Sequence, residues 1–323
     1  MNQIPPRLAL DVVASEPLGA HYSRGQRLTY FVTAVSAGVV IAGFWNFRLV
    51  DEFGSQVVAA NTIGDYRGMA GQFAALGAGF GFVFAAVAGL AATFTACNCV
   101  AFAMIPGLVC APDPRAGRAA ALRSLSAMLL AVVAVSAVYG AFVGWLGPAG
   151  AAAINLREVR FAQAGVVFSV LGLMMLAWAA IDLGFFRRAI GRMSPVTRAF
   201  FSQSSTKAAL MGAMIGAFAI GRPYPVFREF LLYAAQVQQP LYGAAVMAVQ
   251  GLGQIAVMIA VFAAILALGQ ARIRGWVTRA PHQPALVSAI ALAAGGAYFL
   301  FYWGIARMWP SLGRWGFQLG WYS

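Results

Sequence analysis

The sequence predicts an all-helical membrane protein with seven transmembrane helices, and its composition and apolar segments both support this. Hydrophobic residues make up 61% of the 323 residues, whereas charged residues make up only 10%. Soluble domains carry roughly 25% charged residues, so this composition is typical of a protein embedded in lipid. A helix needs about 20 apolar residues to cross a bilayer. The segments that meet this requirement are residues 28–49, 73–107, 124–147, 162–186, 207–234, 240–269 and 286–308.

The N-terminal region and the basic residues fix the expected setting of the chain. Residues Met1 to Arg27 contain five charged side chains and no uninterrupted apolar core, which is typical of a cytoplasmic tail and not of a cleavable signal peptide. The net charge of +13 would suggest nucleic-acid binding in a soluble protein. Here the basic residues lie mainly between the spans, so the predicted partner is the lipid bilayer and no nucleic acid is expected.

The distribution of Lys and Arg predicts the orientation. If the N-terminus is cytoplasmic, 14 basic residues fall in inner segments and five in outer segments. The five outer residues are Arg67, Arg157, Arg160, Arg307 and Arg314. The positive-inside rule therefore predicts a bacterial inner-membrane protein with its N-terminus in the cytoplasm and its C-terminus outside.

The order of the spans predicts an internal repeat. After the first span, six remain, and they form two groups of three that each open with an interrupted helix. Because three is odd, the second group must be inverted relative to the first, as in inverted-repeat transporters. The predicted divisions are a tail (1–27), an extra transmembrane helix with an outer loop (28–72), a first repeat (73–186), a basic inner linker (187–206), a second repeat (207–308) and an outer tail (309–323).

The first interruption carries the cysteines of the chain. Cys97, Asn98 and Cys99 are followed by the helix-breaking Pro106 and then by Cys110. Residues two apart do not face each other on a regular helix, so a local break would be needed to bring the first two thiols together. Thiol redox chemistry through these cysteines is one interpretation, with Cys110 able to resolve a disulfide at Cys99. Soft-metal capture and plain burial of small core residues are the others.

The second interruption contains Arg222 between apolar segments, followed by Pro223 and Pro225. An arginine at bilayer depth costs about 2.5–3.5 kcal/mol on insertion scales, so it needs a compensating partner. One interpretation is a structural arginine held by Glu229, Asp182 or the free carbonyls of a broken helix. The other is a site for an anionic group, such as a cofactor propionate or a quinone oxygen.

Few other residues in the spans suggest chemistry. Gln250 and Gln254 are four apart beside Gly251 and Gly253, and they predict a close helix contact with hydrogen bonds across helices. Paired carboxylates, a Ser-His-Asp set and a His-rich metal box are all missing from the predicted spans, so neither hydrolytic chemistry nor a His-based metal site is expected there.

Over residues 75–308 the chain resembles the cytochrome c biogenesis transmembrane family, the thiol-electron carriers of the CcdA and DsbD type. The matching segments are Gly89 to Val100 with Ile105-Pro106-Gly107, Gly216 to Ala219 with Pro223 to Val226, Leu231 to Gln236, and Gly251 to Gly253. The resemblance implies an inverted three-plus-three helical repeat in which each repeat supplies one redox cysteine. Of the family's redox residues, only Cys99 has a counterpart here.

The departures from the family pattern define the expected functions. Arg222 stands where the second cysteine belongs, and Asn98 replaces the proline before the first. The first hypothesis is a divergent membrane thiol-disulfide redox protein that uses Cys99 with Cys97 or Cys110 and has a thioredoxin-like partner. The sequence predicts no definite cofactor besides these redox cysteines. The second is a non-catalytic subunit or assembly factor of a larger respiratory or photosynthetic membrane complex. The third is a soft-metal transporter.

Overall fold

The structure is a computed structural model that describes residues 21–46, 52–95, 98, 114–186, 192, 194, 203–268, 282–313 and 315–321. Every regular element in these residues is a helix. The predicted tail up to residue 20, most of the 187–206 linker, and Cys97, Cys99, Pro106 and Cys110 lie outside the described residues.

Twelve α-helices are described. They are α1 (Arg24–Gly43), α2 (Ala60–Ile63), α3 (Phe73–Ala92), α4 (Pro114–Ile154), α5 (Arg157–Asp182), α6 (Ser204–Gly221), α7 (Pro225–Ala235), α8 (Pro240–Leu268), α9 (Gln283–Phe299), α10 (Ala306–Met308), α11 (Pro310–Gly313) and α12 (Trp315–Gln318). A 3₁₀ turn, Met69–Gln72, leads into α3, and two π-helical segments, Gly54–Ala59 and Leu300–Ile305, precede α2 and α10.

Several of these helices are long and apolar enough to cross a membrane, which indicates a multi-pass membrane protein. Within the described residues there are five such segments, or six if the bent pair α6 and α7 forms one span. They are Met69–Ala92, Leu122–Ile154, Arg157–Asp182, Pro240–Val261 and Ala285–Met308, with Ser205–Gly221 plus Pro225–Ala235 as the bent pair. The sequence predicts seven, and the seventh stays a prediction.

The predicted first span is the one that is not among these candidate segments. The structure has α1 there, a 20-residue helix that is not among the candidate spans. Its first turn is polar: Ser23 Oγ accepts from the Gln26 backbone N at 3.3 Å, and Gln26 Oε1 accepts from the Ser23 backbone N at 2.9 Å. This capping box fixes where the helix begins, and Gln26 and Arg27 lower the apolar character of the segment.

The break between α6 and α7 follows from the two prolines. A residue before proline is pushed out of the helical region into an extended conformation. Arg222 (φ −70°, ψ 113°) precedes Pro223, and Tyr224 (φ −63°, ψ 129°) precedes Pro225. The helices on either side meet at 84°, and Pro225 opens α7, where its missing N–H is of no consequence. The predicted interruption is therefore present.

The other interrupted segment ends its helix before the cysteine motif. Helix α3 stops at Ala92, and residues 93–95 form turns whose backbone N–H groups bond to carbonyls three residues earlier. The predicted 73–107 span is thus not continuous in its described part.

Glycines allow the central helices to approach closely. Helix α4 packs against both α6 and α8, α3 packs against α8, and α9 packs against α5 and α1. A side chain at Gly140 would collide with the carbonyl of Gly243, and one at Gly243 would collide with that of Gly140. Gly89 is equally close to the carbonyl of Gln250. Such small-residue contacts let helix backbones pack tightly in membranes.

Residues 53–59, in the stretch before α3, contact α3. The sequence predicts an outer loop between the first span and the span that begins at residue 73. In the structure, Gly54, Ser55 and Ala59 are buried, and a side chain at Gly54 would collide with the Ala91 carbonyl near the end of α3. The ring of Phe53 lies 5.0 Å from that of Phe94. Residues 53–59 therefore pack along α3.

Candidate functional site

The side chain of Gln254, on α8, lies where the two broken segments meet, and it is only 2% exposed. Its Nε2 donates to Asn98 Oδ1 and to the Ile215 carbonyl, both at 3.2 Å. Its Oε1 accepts from Arg222 Nη1 at 3.1 Å and from Gln250 Nε2 at 3.4 Å. The amide thus uses its full donor and acceptor capacity. We call Thr93, Asn98, Arg222, Gln250 and Gln254 the polar centre.

Asn98 belongs to the first break, and its amide terminates α3. The last carbonyls of a helix have no partner within the helix. Here the Ala92 carbonyl accepts from Asn98 Nδ2 at 2.9 Å and from Thr95 Oγ1 at 2.7 Å. Thr93 Oγ1 donates to the Gln254 carbonyl at 2.9 Å, which joins the same end of α3 to α8. These hydrogen bonds give the buried polar groups at the end of α3 the partners that they require.

Arg222 belongs to the second break and is 2% exposed. The two carboxylates expected to compensate its charge have other contacts: Glu229 Oε1 accepts from the Ala70 backbone N at 3.1 Å, and Asp182 pairs with Lys207 at 3.2 Å. Among the described contacts of Arg222 are a hydrogen bond to Gln254 and the face of Phe227, with its guanidinium carbon 5.9 Å from the ring centroid. Arg222 is thus the one charged member of the five residues of the polar centre.

The segment after the second break is fastened from both sides. Arg228 Nη2 donates to the Asn155 carbonyl at 2.7 Å, and Asn155 Nδ2 donates to the Arg228 carbonyl at 3.2 Å. Glu229 holds the 3₁₀ turn before α3, and Tyr233 OH donates to the Gly77 carbonyl at 2.7 Å. Helix α7 is thus anchored to the end of α4 and to the start of α3.

The candidate thiols can be placed only by sequence. Cys97 and Cys99 are the chain neighbours of Asn98, whose side chain bonds to Gln254, and both cysteines lie outside the described residues with Cys110 and Pro106. Within the described residues, no group of three or more His, Cys, Asp and Glu side chains is placed to hold a metal ion.

The structure adds a site residue that the sequence reasoning missed. The sequence predicts an outer connection for Arg160, yet Arg160 is 0% exposed and is the largest fully buried side chain described. Its Nη1 donates to Tyr139 OH at 3.0 Å, to the Ile220 carbonyl at 3.0 Å and to Gln163 Oε1 at 3.3 Å. Its guanidinium carbon lies 5.6 Å from the centroid of Phe227, the ring that Arg222 also contacts.

One pattern in the sequence pointed to the burial of Arg160. The buried face of α5 includes Ala164, Phe168, Leu171 and Met175, which recur at intervals of three and four residues. Arg160 lies four residues before Ala164 and therefore continues that face by one turn. The positive-inside rule considers only the position of Arg160 near the end of a span, so it does not register this periodicity.

No family model, curated protein or solved structure matches this chain. The resemblance to thiol-electron carriers therefore stays a prediction that rests on the motifs of the sequence.

Proposed function

We propose that this chain is a divergent thiol-disulfide redox protein of the bacterial inner membrane. Its redox pair would be Cys99 with either Cys97 or Cys110. The supporting observation is the hydrogen-bonded series from Asn98 through Gln254 to Arg222. It connects the residue between the two cysteines to a buried cation, and cations near a thiol favour the reactive thiolate.

The proposed reaction is thiol–disulfide exchange. A thiolate attacks a disulfide of the acceptor and forms a mixed disulfide, which the second cysteine resolves. Two cysteine thiols are thereby oxidised to one disulfide, and their two electrons and two protons reduce the acceptor disulfide to two thiols. A thioredoxin-like dithiol on the cytoplasmic side would then reduce the disulfide of the chain. In this way the chain would carry reducing equivalents outward across the membrane.

The proposal includes an inverted repeat with a cytoplasmic N-terminus and seven spans. The helix contacts support a twofold relation between the two groups of helices, since that relation would place the first helix of each repeat against the second helix of the other. Helix α3 packs against α8, and α6 packs against α4. The two second helices, α4 and α8, also pack against each other, as do the two third helices, α5 and α9.

Redox titration with thiol-specific alkylation tests this function. Membranes that contain the full-length chain are equilibrated in thiol/disulfide buffers and labelled with a maleimide polymer, and single Cys→Ser variants assign each shift. We expect labelling of Cys97 and Cys99 to change reversibly with redox potential. The rate of alkylation is also measured as a function of pH. Arg222→Gln should move the midpoint of this pH dependence to higher pH, whereas Arg222→Lys should leave the midpoint unchanged. Thiols that react identically at every potential would refute the proposal.

A second function is favoured by one specific observation. Arg222 stands where the family places its second cysteine, and it has Gln254 and Phe227 as partners there. This arrangement also suits a non-catalytic subunit of a larger membrane complex. That function predicts inert cysteines and stable co-purification with other subunits. Protection of the thiols by a soft metal such as Cu(I) in the same alkylation assay would indicate transport instead.

A further inference from the structure

We infer that the chain holds a phosphate-type oxyanion beside Arg160, at the break between α6 and α7. The inference starts from the contacts of one buried cation. Nη1 of Arg160 makes three hydrogen bonds, and all three acceptors are neutral. Its Nε and Nη2 are buried without a hydrogen-bond partner among the described residues.

The energetics of burial indicate that neutral partners are too few. Removing an ion from water costs several kcal/mol even after the protein relaxes. A hydrogen bond to a charged group returns about 1.5–3 kcal/mol, and each buried donor left unsatisfied costs about 1–3 kcal/mol. In the described part of the chain the one ion pair joins Lys207 and Asp182, so no described carboxylate neutralises Arg160. A bound anion would supply both the charge and the missing acceptors.

The surroundings of Arg160 suit an anion in three respects. Through the Ile220 carbonyl and the Phe227 ring, its guanidinium lies between the last turn of α6 and the first turn of α7. Helix α7 has 11 residues, and the backbone N–H groups of its first turn receive no bond from the side chain of Tyr224, its N-cap residue. A helix N-terminus with free N–H groups attracts anions. A second buried arginine, Arg222, lies 5.9 Å from the centroid of the same ring.

The free donors of Arg160 fit an oxyanion that offers two oxygens. Nε and one Nη of an arginine form a planar fork that matches two oxygens of a carboxylate or phosphate. Tyr139 holds the guanidinium from the opposite nitrogen, Nη1, and so leaves this fork available. We assign the site to the phosphate group, which would come either from inorganic phosphate or from the headgroup of a phospholipid.

Thermal unfolding of the purified full-length chain in neutral detergent tests the assignment. Phosphate is titrated at constant ionic strength, with chloride as the compensating salt. We expect the unfolding midpoint to rise with phosphate, because a ligand that binds only the folded state stabilises it. Arg160→Gln should weaken phosphate binding at least about 30-fold, since it removes a buried charged partner. Arg160→Lys keeps the charge without the fork and should weaken it about 10-fold.

Two further variants keep the test decisive. Arg307→Gln changes an exposed arginine that contacts a different ring, Phe161, and it should respond to phosphate as the wild type does. If Arg160→Gln does not fold, Tyr139→Phe leaves Arg160 in place and removes one of its anchors, and a few-fold loss of phosphate binding is expected.

Lipid analysis separates the two sources of phosphate. A phospholipid retained one-to-one by the wild type, and lost in Arg160→Gln, identifies the headgroup as the ligand. A phosphate-dependent midpoint without a retained lipid identifies the free anion. If the wild type neither responds to phosphate nor retains a phospholipid, or if Arg160→Gln behaves like the wild type, the assignment is overturned. These readouts do not involve the thiols, so they are independent of the proposed redox function.

Discussion

Two arginine pairs in the described part of this molecule each contact one phenylalanine ring at similar distances, and they differ in burial. In the outer pair, Arg157 and Arg307 lie 5.8 and 5.7 Å from the centroid of Phe161, and both arginines are exposed. In the inner pair, Arg160 and Arg222 lie 5.6 and 5.9 Å from the centroid of Phe227, and all three residues are buried. The distances to the rings are nearly the same, so exposure to water determines whether each pair requires compensating polar partners in the protein.

Water solvates the charges of the outer pair, whereas protein groups must take the place of that water around the inner pair. A cation over a ring gains about 0.5–1 kcal/mol at exposed sites and about 2 kcal/mol or more when desolvated. That gain does not offset the several kcal/mol that burying each cation costs. The inner arginines therefore depend on the amide of Gln254, on the carbonyl freed at the end of α6 and, we propose, on an anion.

The largest expected difference concerns the two rings. Phe227→Ala should destabilise the protein by about 3–5 kcal/mol, because it opens a cavity in a fully buried site and exposes two cations to it. Phe161→Ala, at a partly exposed ring, should cost less than about 1 kcal/mol. Denaturant unfolding of both variants in the same detergent measures the gap. Equal losses would show that burial does not distinguish the pairs.

The next effect concerns the glutamines that bond to the inner arginines. Gln254→Leu should cost about 3 kcal/mol, because it removes an acceptor from the buried Arg222 and the partner of Asn98. Gln163→Leu should cost about 1 kcal/mol, since Arg160 Nη1 keeps two other acceptors. Unfolding midpoints of the two variants give the comparison. A larger loss at Gln163 would contradict the central role assigned to Gln254.

The smallest effect is expected at the outer pair. Arg307→Gln should change the free energy of unfolding by no more than about 0.5 kcal/mol, because the side chain is exposed and its charge is screened. Added salt should reduce even that change. A loss above 1 kcal/mol would mean that Arg307 has a buried contact in the membrane-embedded protein.

The features that depend on local sequence are the ones that the sequence predicts correctly. The bend at Arg222 and Tyr224 follows from local rules, because each precedes a proline, and it is present at the predicted position. The close contact at Gln250 and Gln254 is also local in origin, since neighbouring glycines allow it. Composition alone indicated a multi-pass helical membrane protein.

The partners of these residues depend on distant parts of the chain. Gln254 bonds to Asn98, 156 residues away, and Arg160 bonds to Ile220, 60 residues away. Spacing along one helix carries no information on such pairs. The expected pairing of Arg222 with Glu229 therefore differs from the structure, where Glu229 bonds to Ala70. The burial of Arg160 follows from the periodicity of α5, whereas its partners Tyr139 and Ile220 follow only from the packing of the helices.

Thiol cross-linking between the two breaks tests the polar centre most directly. Cys97, Cys99 and Cys110 are changed to serine, Asn98 and Arg222 are changed to cysteine, and a protease site is inserted into the 187–206 linker. A short bifunctional thiol reagent should then keep the two halves of the cleaved chain together on a denaturing gel. The control replaces Arg222→Cys with Leu241→Cys, at a residue that is 85% exposed, and its halves should separate. Halves that separate equally in both proteins would contradict the meeting of the two breaks at Gln254.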